Sequence, residues 1–395
     1  MALPGDPPPG DITGTTAAGT LPAEQLAAYA EPETDVALWA VIFAGGIGSR
    51  FWPLSTPARP KPLLALVSEQ TLIEETVGRL QPTIPPERVL ILTSRDIAPA
   101  IRSVTKDVPD ENVLVEPRPL GTAAALAWGA QELVRRAGPS AMCVAIHADL
   151  AVDFAEEFRR TLRRAAAYAA RERALVSVGI QPSRPETGFG YVLPGPALDV
   201  DHPLGKGGAA TTLRYVEKPS EHEATQLIRE GCRWHSGIVV GSAETILGEL
   251  AAHTPEVRDG LESLRLGNLP GFVGMVRATS LERGLLERTQ RLLVLQGEFG
   301  WDDVGTWASL RRARDLDDDG NGAVGQVHFV EADCNVVHAE RGTVVVYGLS
   351  RMLVVALDGL TFVTSLDRAT DLRPLLDALP GSMRIHPTGS PQGHQ

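Results

Sequence analysis

A glycine-rich run followed by two positively charged residues is the part of the sequence with the clearest chemical meaning. The run is Ala44-Gly45-Gly46-Ile47-Gly48-Ser49-Arg50, and Lys61 follows in Arg59-Pro60-Lys61-Pro62. Small residues let backbone N–H groups come close to phosphate oxygens. Arg50 and Lys61 add permanent positive charge, which can neutralise a triphosphate and the pyrophosphate that leaves it. The pattern predicts a triphosphate-binding loop, with Arg50 and Lys61 as catalytic residues.

Two well-known phosphate motifs do not fit this run. A dinucleotide-binding fingerprint needs a third glycine where Phe51 stands, and a P-loop needs Gly-Lys-Ser or Gly-Lys-Thr, which the run lacks. Taken alone, the glycines also fit a tight structural turn, and the two charges fit a surface ion pair. Four prolines between residues 53 and 62 favour the binding loop, because they stiffen the segment between the two charges.

Short apolar runs and helical patterns alternate around this loop. Strands are predicted at residues 38–43, 89–92, 113–115, 142–146 and 175–179, with helices at 72–80, 98–104, 123–136 and 154–171. Strands separated by helices indicate right-handed β-α-β units in a mostly parallel sheet flanked by helices, a Rossmann-like α/β fold. Ligands of such sheets bind beyond the carboxyl ends of the strands, and the glycine-rich run starts at one such end.

The pattern changes after residue 305, which indicates a small second domain. An acidic segment at 315–322 precedes predicted strands at 326–330, 335–337, 343–347 and 352–357 and a helix at 369–378. The acidic segment resembles the start of a calcium loop, but Gln326 stands at position twelve and a strand follows, so a solvated linker is the better interpretation. We expect a mobile tail over 1–35 with at most a short helix at 22–30, a catalytic domain over 36–314, a β domain over 315–380 and a tail over 381–395.

Charge and cysteine content exclude several classes of protein. The net charge of the 395 residues is −12, which disfavours a nonspecific nucleic-acid binder or a binder of anionic membranes. Cys143, Cys232 and Cys334 are far apart and form no CxxC pair, so neither a disulfide framework nor a zinc site is predicted. No signal-peptide pattern and no apolar run of about 18 residues occur. We therefore expect a cytoplasmic protein that binds neither nucleic acid nor membranes.

Further charged residues stand where predicted strands end. Asp149 follows the strand at 142–146, where a carboxylate can hold Mg²⁺ against bound phosphates, although a helix cap is the alternative. Glu217 and Lys218 end a predicted strand at 213–216. A carboxylate accepts hydrogen bonds from hydroxyls and an ammonium offsets a phosphate, but a surface pair before the turn at Pro219 is the alternative.

Together these motifs resemble one family. Residues 45–55 and Arg59-Pro60-Lys61-Pro62 resemble the signature of the mannose-1-phosphate guanylyltransferases, also called GDP-mannose pyrophosphorylases. Later matches, in the expected order over residues 36–378, are Glu116-Pro117, Thr122-Ala123, Ala148-Asp149, residues 187–191, Val216-Glu217-Lys218-Pro219, Trp234-His235-Ser236-Gly237 and residues 299–307. The resemblance implies a catalytic fold of the nucleotide-diphospho-sugar transferase type, followed by a small β-helix-like domain.

The resemblance also implies an activity and a set of site residues. The activity is transfer of GMP from GTP to mannose 1-phosphate, with Mg²⁺ as cofactor, and a homodimer is allowed for. Asp303 joins Asp149 as a metal ligand, with Asp302 as its rival. The candidates for the sugar phosphate are Gly190, Tyr191, Glu217, Lys218 and His235, with a hairpin turn as the alternative for the first two. The candidates for the nucleotide are Ala44, Gly45, Gly46, Gly48, Ser49, Glu116, Gly121 and Thr122, among which Glu116 can accept two N–H donors of guanine.

A few residues depart from the family pattern and keep two alternatives open. Leu120-Gly121-Thr122 stands where the family commonly has Arg-Asn-Thr, which favours another pair such as glucose 1-phosphate with UTP or dTTP. His235 replaces a usual Asn and Leu150 a frequent His, which favours a nucleotide-sugar-binding regulator that has lost catalysis. The residues that argue for the enzyme are Arg50, Lys61, Asp149, Lys218 and Asp303.

Overall fold

The computed structural model describes residues 37–46, 48–56, 59–199 and 207–384, which lie in one compact unit within residues 34–395. The predicted tail over 1–35, its short helix and residues 385–395 of the second tail lie outside the described residues. Among the helices of the described ranges, none combines the length and the apolar character that crossing a membrane requires.

Fifteen strands occur in the described residues. They are β1 Leu38–Phe43, β2 Val89–Ser94, β3 Val113–Glu116, β4 Met142–His147, β5 Ala151–Val152, β6 Leu175–Ile180, β7 Gly190–Ala197, β8 Ala209–Glu217, β9 Arg233–Ser242, β10 Leu292–Gln296, β11 Trp301–Asp302, β12 Gly322–Val330, β13 Val336–Tyr347, β14 Met352–Leu357 and β15 Leu360–Ser365.

The helices of the described ranges connect or cover these strands. They are α1 Leu72–Leu80, α2 Ala98–Val104, α3 Thr122–Ala137, α4 Ala155–Glu172, α5 Glu221–Arg229, α6 Ala243–His253, α7 Pro255–Arg258, α8 Leu261–Arg265, α9 Leu269–Met275, α10 Leu310–Ala313, α11 Arg373–Ala378 and α12 Gly381–Arg384. Single turns of 3₁₀-helix at Ser49–Phe51 and Lys61–Leu63 and a π-helical turn at Glu282–Leu286 are the short elements that matter for the site.

The main sheet has nine strands in the order β3-β2-β1-β4-β9-β6-β10-β8-β7. Strands β1 to β4 pair in parallel, and β6 pairs in parallel with β10, while β8 and β9 run antiparallel to their neighbours. Seven of the nine strands therefore run in one direction, which confirms the predicted mostly parallel α/β sheet. The carboxyl ends of β1, β3 and β4 lie at one edge, where the candidate nucleotide and metal residues begin.

Helices cover both faces of this sheet, as the alternation of side chains along β1 shows. Ala40 and Ile42 lie in one core with residues of α1, α2 and α4, whereas Val41 and Phe43 lie in a second core with residues of α3 and α6. Helix α3 approaches the sheet closely, because a Cβ at its Gly129 would come 2.8 Å from Val41 Cγ1. The Thr71 N-cap fixes the start of α1: its hydroxyl accepts from the Glu74 amide and the Glu74 carboxylate accepts from the Thr71 amide.

The C-terminal strands form a separate four-stranded sheet in the order β12-β13-β14-β15. The first three strands pair in parallel and β15 pairs antiparallel with β14. The prediction of two strands at 335–337 and 343–347 was wrong, because both belong to the single strand β13. The predicted helix at 369–378 is a 3₁₀ turn at Arg368–Thr370 followed by α11.

A third core joins this sheet to residues that follow the glycine-rich loop. Its members from the loop side are Phe51, Trp52, Leu54, Leu64, Leu66 and Leu72. Its members from the other side include Val304, Trp307, Leu310, Val336, Leu353, Val355 and Phe362. The predicted division at residue 314 is not tested by these contacts and stays a prediction.

Candidate active site

The glycine-rich loop leaves β1 at the edge of the parallel sheet. The Ala44 amide donates to Leu92 O at 2.8 Å and its carbonyl accepts from the Thr93 hydroxyl, so both backbone groups of Ala44 are used inside the fold. Gly45 and Gly46 are exposed. Gly48 has a φ of +71°, and a Cβ there would collide with Lys61 Cβ. Only glycine therefore lets the loop lie directly against Lys61.

Lys61 is buried at the carboxyl edge of the sheet, with only 9% of its side chain exposed. Its Nζ donates to Asp149 Oδ2 at 2.8 Å and to the backbone carbonyl of Asp303 at 3.1 Å. The ammonium also lies 5.6 Å from the centre of the Phe51 ring. Residues that are 88 and 242 positions away from Lys61 along the chain thus meet at its tip.

Asp149 and Asp303 experience opposite electrostatic effects. Burial alone would raise the pKa of Asp149, but the charges of Lys61 and His147 hold it below its ordinary value. Burial, with the charges of Asp302 and Asp149, raises the pKa of Asp303 to about 6 against the opposing charges of Lys61 and Arg50. Arg50 is exposed, in the 3₁₀ turn after the glycines. The structure therefore brings Arg50, Lys61, Asp149 and Asp303 together, and their catalytic and metal-binding roles stay predictions.

These carboxylates fit a divalent cation of the magnesium type. A cation would offset both the burial and the carboxylate repulsion that raise the pKa of Asp303, and Mg²⁺ needs only one or two protein carboxylates when phosphates and waters complete its shell. In the described ranges no group of three or more His, Cys, Asp or Glu side chains is placed to bind a metal without such help. The rival Asp302 is engaged elsewhere, accepting from the Val304 amide at 2.9 Å and from Arg312 Nε at 2.8 Å.

Glu116 ends β3 beside the glycine-rich loop. A Cβ on Gly45 would lie 3.8 Å from Glu116 Oε2, and Oε1 is buried without a hydrogen-bond partner among the described residues. Burial raises the pKa of Glu116 to about 7, although a hydrogen bond from the Leu120 backbone opposes this rise. An unsatisfied buried carboxylate oxygen is costly, so it marks a place where a ligand donor would be favourable.

Gly121 and Thr122 begin α3 and are packed against the segment before the π-helical turn. Gly121 has a φ of +79°, and a Cβ there would collide with Thr279 O. The Thr122 hydroxyl accepts a hydrogen bond from the Leu281 amide at 2.7 Å. Both residues therefore have structural partners in place, and their predicted contact with the nucleotide stays a prediction.

Glu217 ends β8 and Lys218 follows it, at a second cluster of polar groups. The Glu217 side chain is 6% exposed, accepts from Tyr215 Oη at 3.2 Å and pairs with Lys218 Nζ at 3.2 Å. Burial and the charge of Glu282 raise the pKa of Glu217. Lys218 is 55% exposed and has a φ of +52°. Gly190 pairs with Glu217 across the sheet, and a Cβ there would collide with Tyr215 Oη.

Tyr191 lies on the opposite face from this cluster. Its ring is completely buried with Leu227 and Trp234, and its hydroxyl donates to Glu186 O and accepts from the Glu186 amide. The choice of Tyr191 as a candidate for the sugar phosphate is therefore corrected: the strand alternation that turns Gly190 towards the cluster turns Tyr191 away from it.

His235 lies in β9 beside the same cluster and is only 6% exposed. Its Nδ1 is 2.8 Å from Ser177 Oγ, and its Nε2 has no hydrogen-bond partner among the described residues. The Tyr215 ring packs edge-on against the imidazole at 5.6 Å. Burial lowers the pKa of His235 to about 4, so the imidazole is neutral at physiological pH.

Two residues near His235 were missed from the sequence. Glu282, in the π-helical turn, lies 4.0 Å from His147 Nε2 at the end of β4. Burial opposes ionisation of Glu282, but the neighbouring imidazole of His147 holds the pKa of Glu282 below its ordinary value. A π-helical turn is a frequent mark of a functional site, but it cannot be read from a single sequence. His147 directly follows the predicted strand at 142–146 and was passed over beside Asp149.

Known proteins resemble this chain over most of its length. The family model described as nucleotidyl transferase matches residues 39–320. A mannose-1-phosphate guanylyltransferase from Sinorhizobium fredii is 29% identical over 88% of this chain and 70% of its own length. The alginate biosynthesis protein AlgA of Pseudomonas fluorescens is 30% identical over 86% of this chain and 71% of its own length.

A solved structure agrees with these sequence matches. The crystal structure described as a mannose-1-phosphate geranyltransferase from Thermus thermophilus superposes with a TM-score of 0.78 at 31% identity, over 87% of this chain and 99% of that chain. The chain therefore belongs to the nucleotidyl transferase family, as a sugar-1-phosphate nucleotidyltransferase.

Proposed function

We propose that the enzyme transfers GMP from GTP to mannose 1-phosphate, giving GDP-mannose and pyrophosphate. The observation that carries the proposal is the position of Lys61 Nζ, which is hydrogen-bonded to Asp149 and Asp303 O, while the stem of Lys61 lies against Gly48 of the loop. One lysine thus touches the two metal-ligand candidates and the phosphate loop. The relatives described as mannose-1-phosphate guanylyltransferases support the choice of sugar and base.

The reaction is an in-line displacement at the α-phosphorus of GTP. A phosphate oxygen of mannose 1-phosphate forms the new bond to this phosphorus, the bond to the oxygen that bridges the α- and β-phosphorus breaks, and pyrophosphate leaves with that oxygen. No protein nucleophile is required, so positioning and charge neutralisation supply the rate acceleration. Lys61 and Arg50 neutralise the leaving pyrophosphate, while Lys218 offsets the charge of the attacking phosphate and Glu217 accepts from sugar hydroxyls.

Asp149 and Asp303 would hold Mg²⁺, which when bound supplies positive charge to the phosphate oxygens. Asp303 has a pKa of about 6, so its carboxylate is mostly ionised and ready for a cation above that pH. Asp149 is ionised well below it. We expect metal-dependent turnover to need both carboxylates.

The matched test of the metal ligands compares neighbouring carboxylates. Asp149→Asn and Asp303→Asn should each abolish turnover at any Mg²⁺ concentration, while Asp302→Asn should retain most of it because Asp302 binds Arg312 and the Val304 amide. GDP-mannose and pyrophosphate are measured across a magnesium titration, with circular dichroism to check the fold. Equal activity in Asp303→Asn and the unaltered protein would contradict the assignment.

Glu116 is proposed to read the base. An ionised carboxylate accepts the two adjacent N–H donors of guanine, whereas uracil and thymine offer one donor at that edge. The unpaired buried Oε1 of Glu116 beside Gly45 supports this role. The Leu120-Gly121-Thr122 departure, which favoured UTP or dTTP, has a structural explanation in the close approach of Gly121 to Thr279.

The cellular setting is also part of the proposal. Cys143, Cys232 and Cys334 are free thiols, which agrees with a reducing cytoplasm. A homodimer is the expected oligomeric state. Light scattering on the full chain measures it, with a monomer as the contrary result.

A further inference from the structure

The segment that carries Arg50 and Lys61 packs on the C-terminal sheet. Within residues 48–61, the large side chains Phe51, Trp52 and Leu54 all belong to the third core. Trp52 packs edge-on against Phe362 of β15, with ring centres 5.2 Å apart. Phe51 packs in the same way against Trp307 at 5.3 Å. Residues beyond 303 thus supply aromatic partners for two side chains of the segment that carries Arg50 and Lys61.

Buried hydrogen bonds stabilise the same contact. Trp307 Nε1 donates to Trp52 O at 2.9 Å, with both groups buried. Arg314 donates from Nε to Leu66 O at 2.7 Å and from Nη1 to Val337 O at 2.9 Å, so one buried side chain links β13 to the backbone just after Lys61. Losing a partner of such a bond leaves a buried polar group unsatisfied.

An ion pair at the rim completes the connection. Arg59, two residues before Lys61, pairs with Glu340 of β13, and both side chains are roughly one-quarter exposed. The Glu340 carboxylate lies 3.8 Å from His338 Nε2, and the His338 ring packs against Trp307 at 5.9 Å. A continuous set of contacts therefore runs from Glu340 through Trp307 and Phe51 to the Lys61 ammonium.

We propose that the C-terminal sheet positions Lys61, with Trp307, Glu340 and Arg59 as positioning residues. The regular structure in the described part of residues 48–61 is limited to single 3₁₀ turns and an isolated bridge between Thr56 and Arg59, so tertiary contacts must set the position of this backbone. A point charge on a long side chain acts on a transition state only where its backbone holds it. The C-terminal sheet is thereby part of the catalytic apparatus.

The test combines two variants with two measurements on the full chain. Glu340→Gln removes the charge that holds Arg59, and Trp307→Phe removes the bond to Trp52 O while keeping an aromatic ring. Each should lower kcat about tenfold with little change in KM, less than the roughly hundredfold loss that a 1 Å misplacement causes. Each should also speed amide hydrogen exchange in residues 48–56 and 59–64 without changing exchange in β1 or β4.

Controls separate positioning from general damage. Asp358→Asn makes the same chemical change in the exposed Arg341–Asp358 pair of the same sheet and should alter neither readout. The double variant Arg59→Met with Glu340→Gln should lose no more kcat than Arg59→Met or Glu340→Gln alone, because each single change already removes the same ion pair. The exchange measurement needs no substrate, so its result is independent of the proposed GTP and mannose 1-phosphate specificity.

Each outcome decides the proposal. Faster loop exchange together with lower kcat supports it. It is overturned by an unchanged kcat, whether or not loop exchange is faster, by a lower kcat with unchanged loop exchange, or by an equal effect of Asp358→Asn.

Discussion

Replacing Lys61 by Met removes the ammonium at the centre of the site but keeps a side chain of similar length. Nζ lies 2.8 Å from Asp149 Oδ2, and Gly48 leaves no room for larger atoms near the stem. The attraction at this distance is roughly 6 kcal/mol at an effective dielectric constant of about 20. Desolvation of the two charged groups offsets most of it. We expect the free energy of unfolding to fall by about 1–3 kcal/mol, which leaves the protein folded.

The kinetic effect should be larger than the loss of stability suggests. In the proposed mechanism Lys61 faces charge that develops only as pyrophosphate leaves, and removal of one such group costs about 10²–10³ in kcat, or about 2.7–4 kcal/mol. The KM for GTP should change by much less, because the proposal has Arg50 and the loop hold the ground-state triphosphate as well. Lys61→Arg should not restore activity, because a guanidinium fork does not fit a site in which the lysine side chain is 9% exposed.

The assay is steady-state release of pyrophosphate, with thermal unfolding measured on the same samples. Lys106→Met is the matched control, since Lys106 is exposed in a turn and should behave as the unaltered enzyme. A rise in KM with unchanged kcat in Lys61→Met would refute the transition-state role, and full activity in Lys61→Arg would refute the steric reasoning.

Three further predictions concern the loop, the base and the sugar side. Gly48→Ala should lower the free energy of unfolding by about 1–3 kcal/mol and should also lower kcat, because a Cβ at this position would collide with Lys61. Gly267 is the matched control, since it has a similar φ of +76° but open space around it. Gly267→Ala should lower the free energy of unfolding less and leave kcat unchanged in the same two assays. Glu116→Gln should raise the KM for GTP about tenfold or more and abolish the fall in KM that we expect as pH rises through about 7, where burial places the pKa of Glu116; an unchanged pH profile would contradict base reading by this carboxylate. Burial lowers the pKa of His235 to about 4, so between pH 6.5 and 4 the unfolded chain binds a proton at this imidazole that the folded protein does not bind. The free energy of unfolding should therefore fall as the pH drops from 6.5 towards 4. His235→Asn should flatten that part of a pH series of denaturant titrations, and a curve parallel to that of the unaltered protein would show that other groups cause the fall.

The sheet was predictable because its signals are local. Strands β1 and β4 and helix α1 lie within one residue of their predicted bounds, since each is a periodic run closed by a turn or cap. Strand β13 was not predicted as a single strand, because His338, Glu340 and Arg341 give its middle the composition of a polar turn. A register shift opposite Gly325, which has a φ of +92°, lets the strand continue past this polar stretch.

The candidate site likewise has residues that a local motif predicts and residues that only the folded structure brings together. The loop glycines, Arg50 and Lys61 lie close together in the sequence, so their motif alone predicted that Arg50 and Lys61 bind phosphates. The orientation of Tyr191 depends on the face that β7 turns towards the cluster, and the approach of Glu282 to His147 joins segments more than 130 residues apart. The support of Lys61 by Trp307 and Glu340 likewise exists only after the two sheets pack together. None of these contacts has a local signal that one sequence could reveal.

An internal competition tests the central claim most directly. The enzyme with Mg²⁺ receives GTP, UTP, dTTP and ATP together with mannose 1-phosphate and glucose 1-phosphate at equal concentrations, and early products are quantified by mass spectrometry. The ratio of products equals the ratio of kcat/KM values. We predict that GDP-mannose is the main product and that pyrophosphate forms in equal amount. UDP-glucose or dTDP-glucose as the main product would contradict the proposed base and sugar, and binding of GDP-mannose without any turnover would contradict catalysis itself.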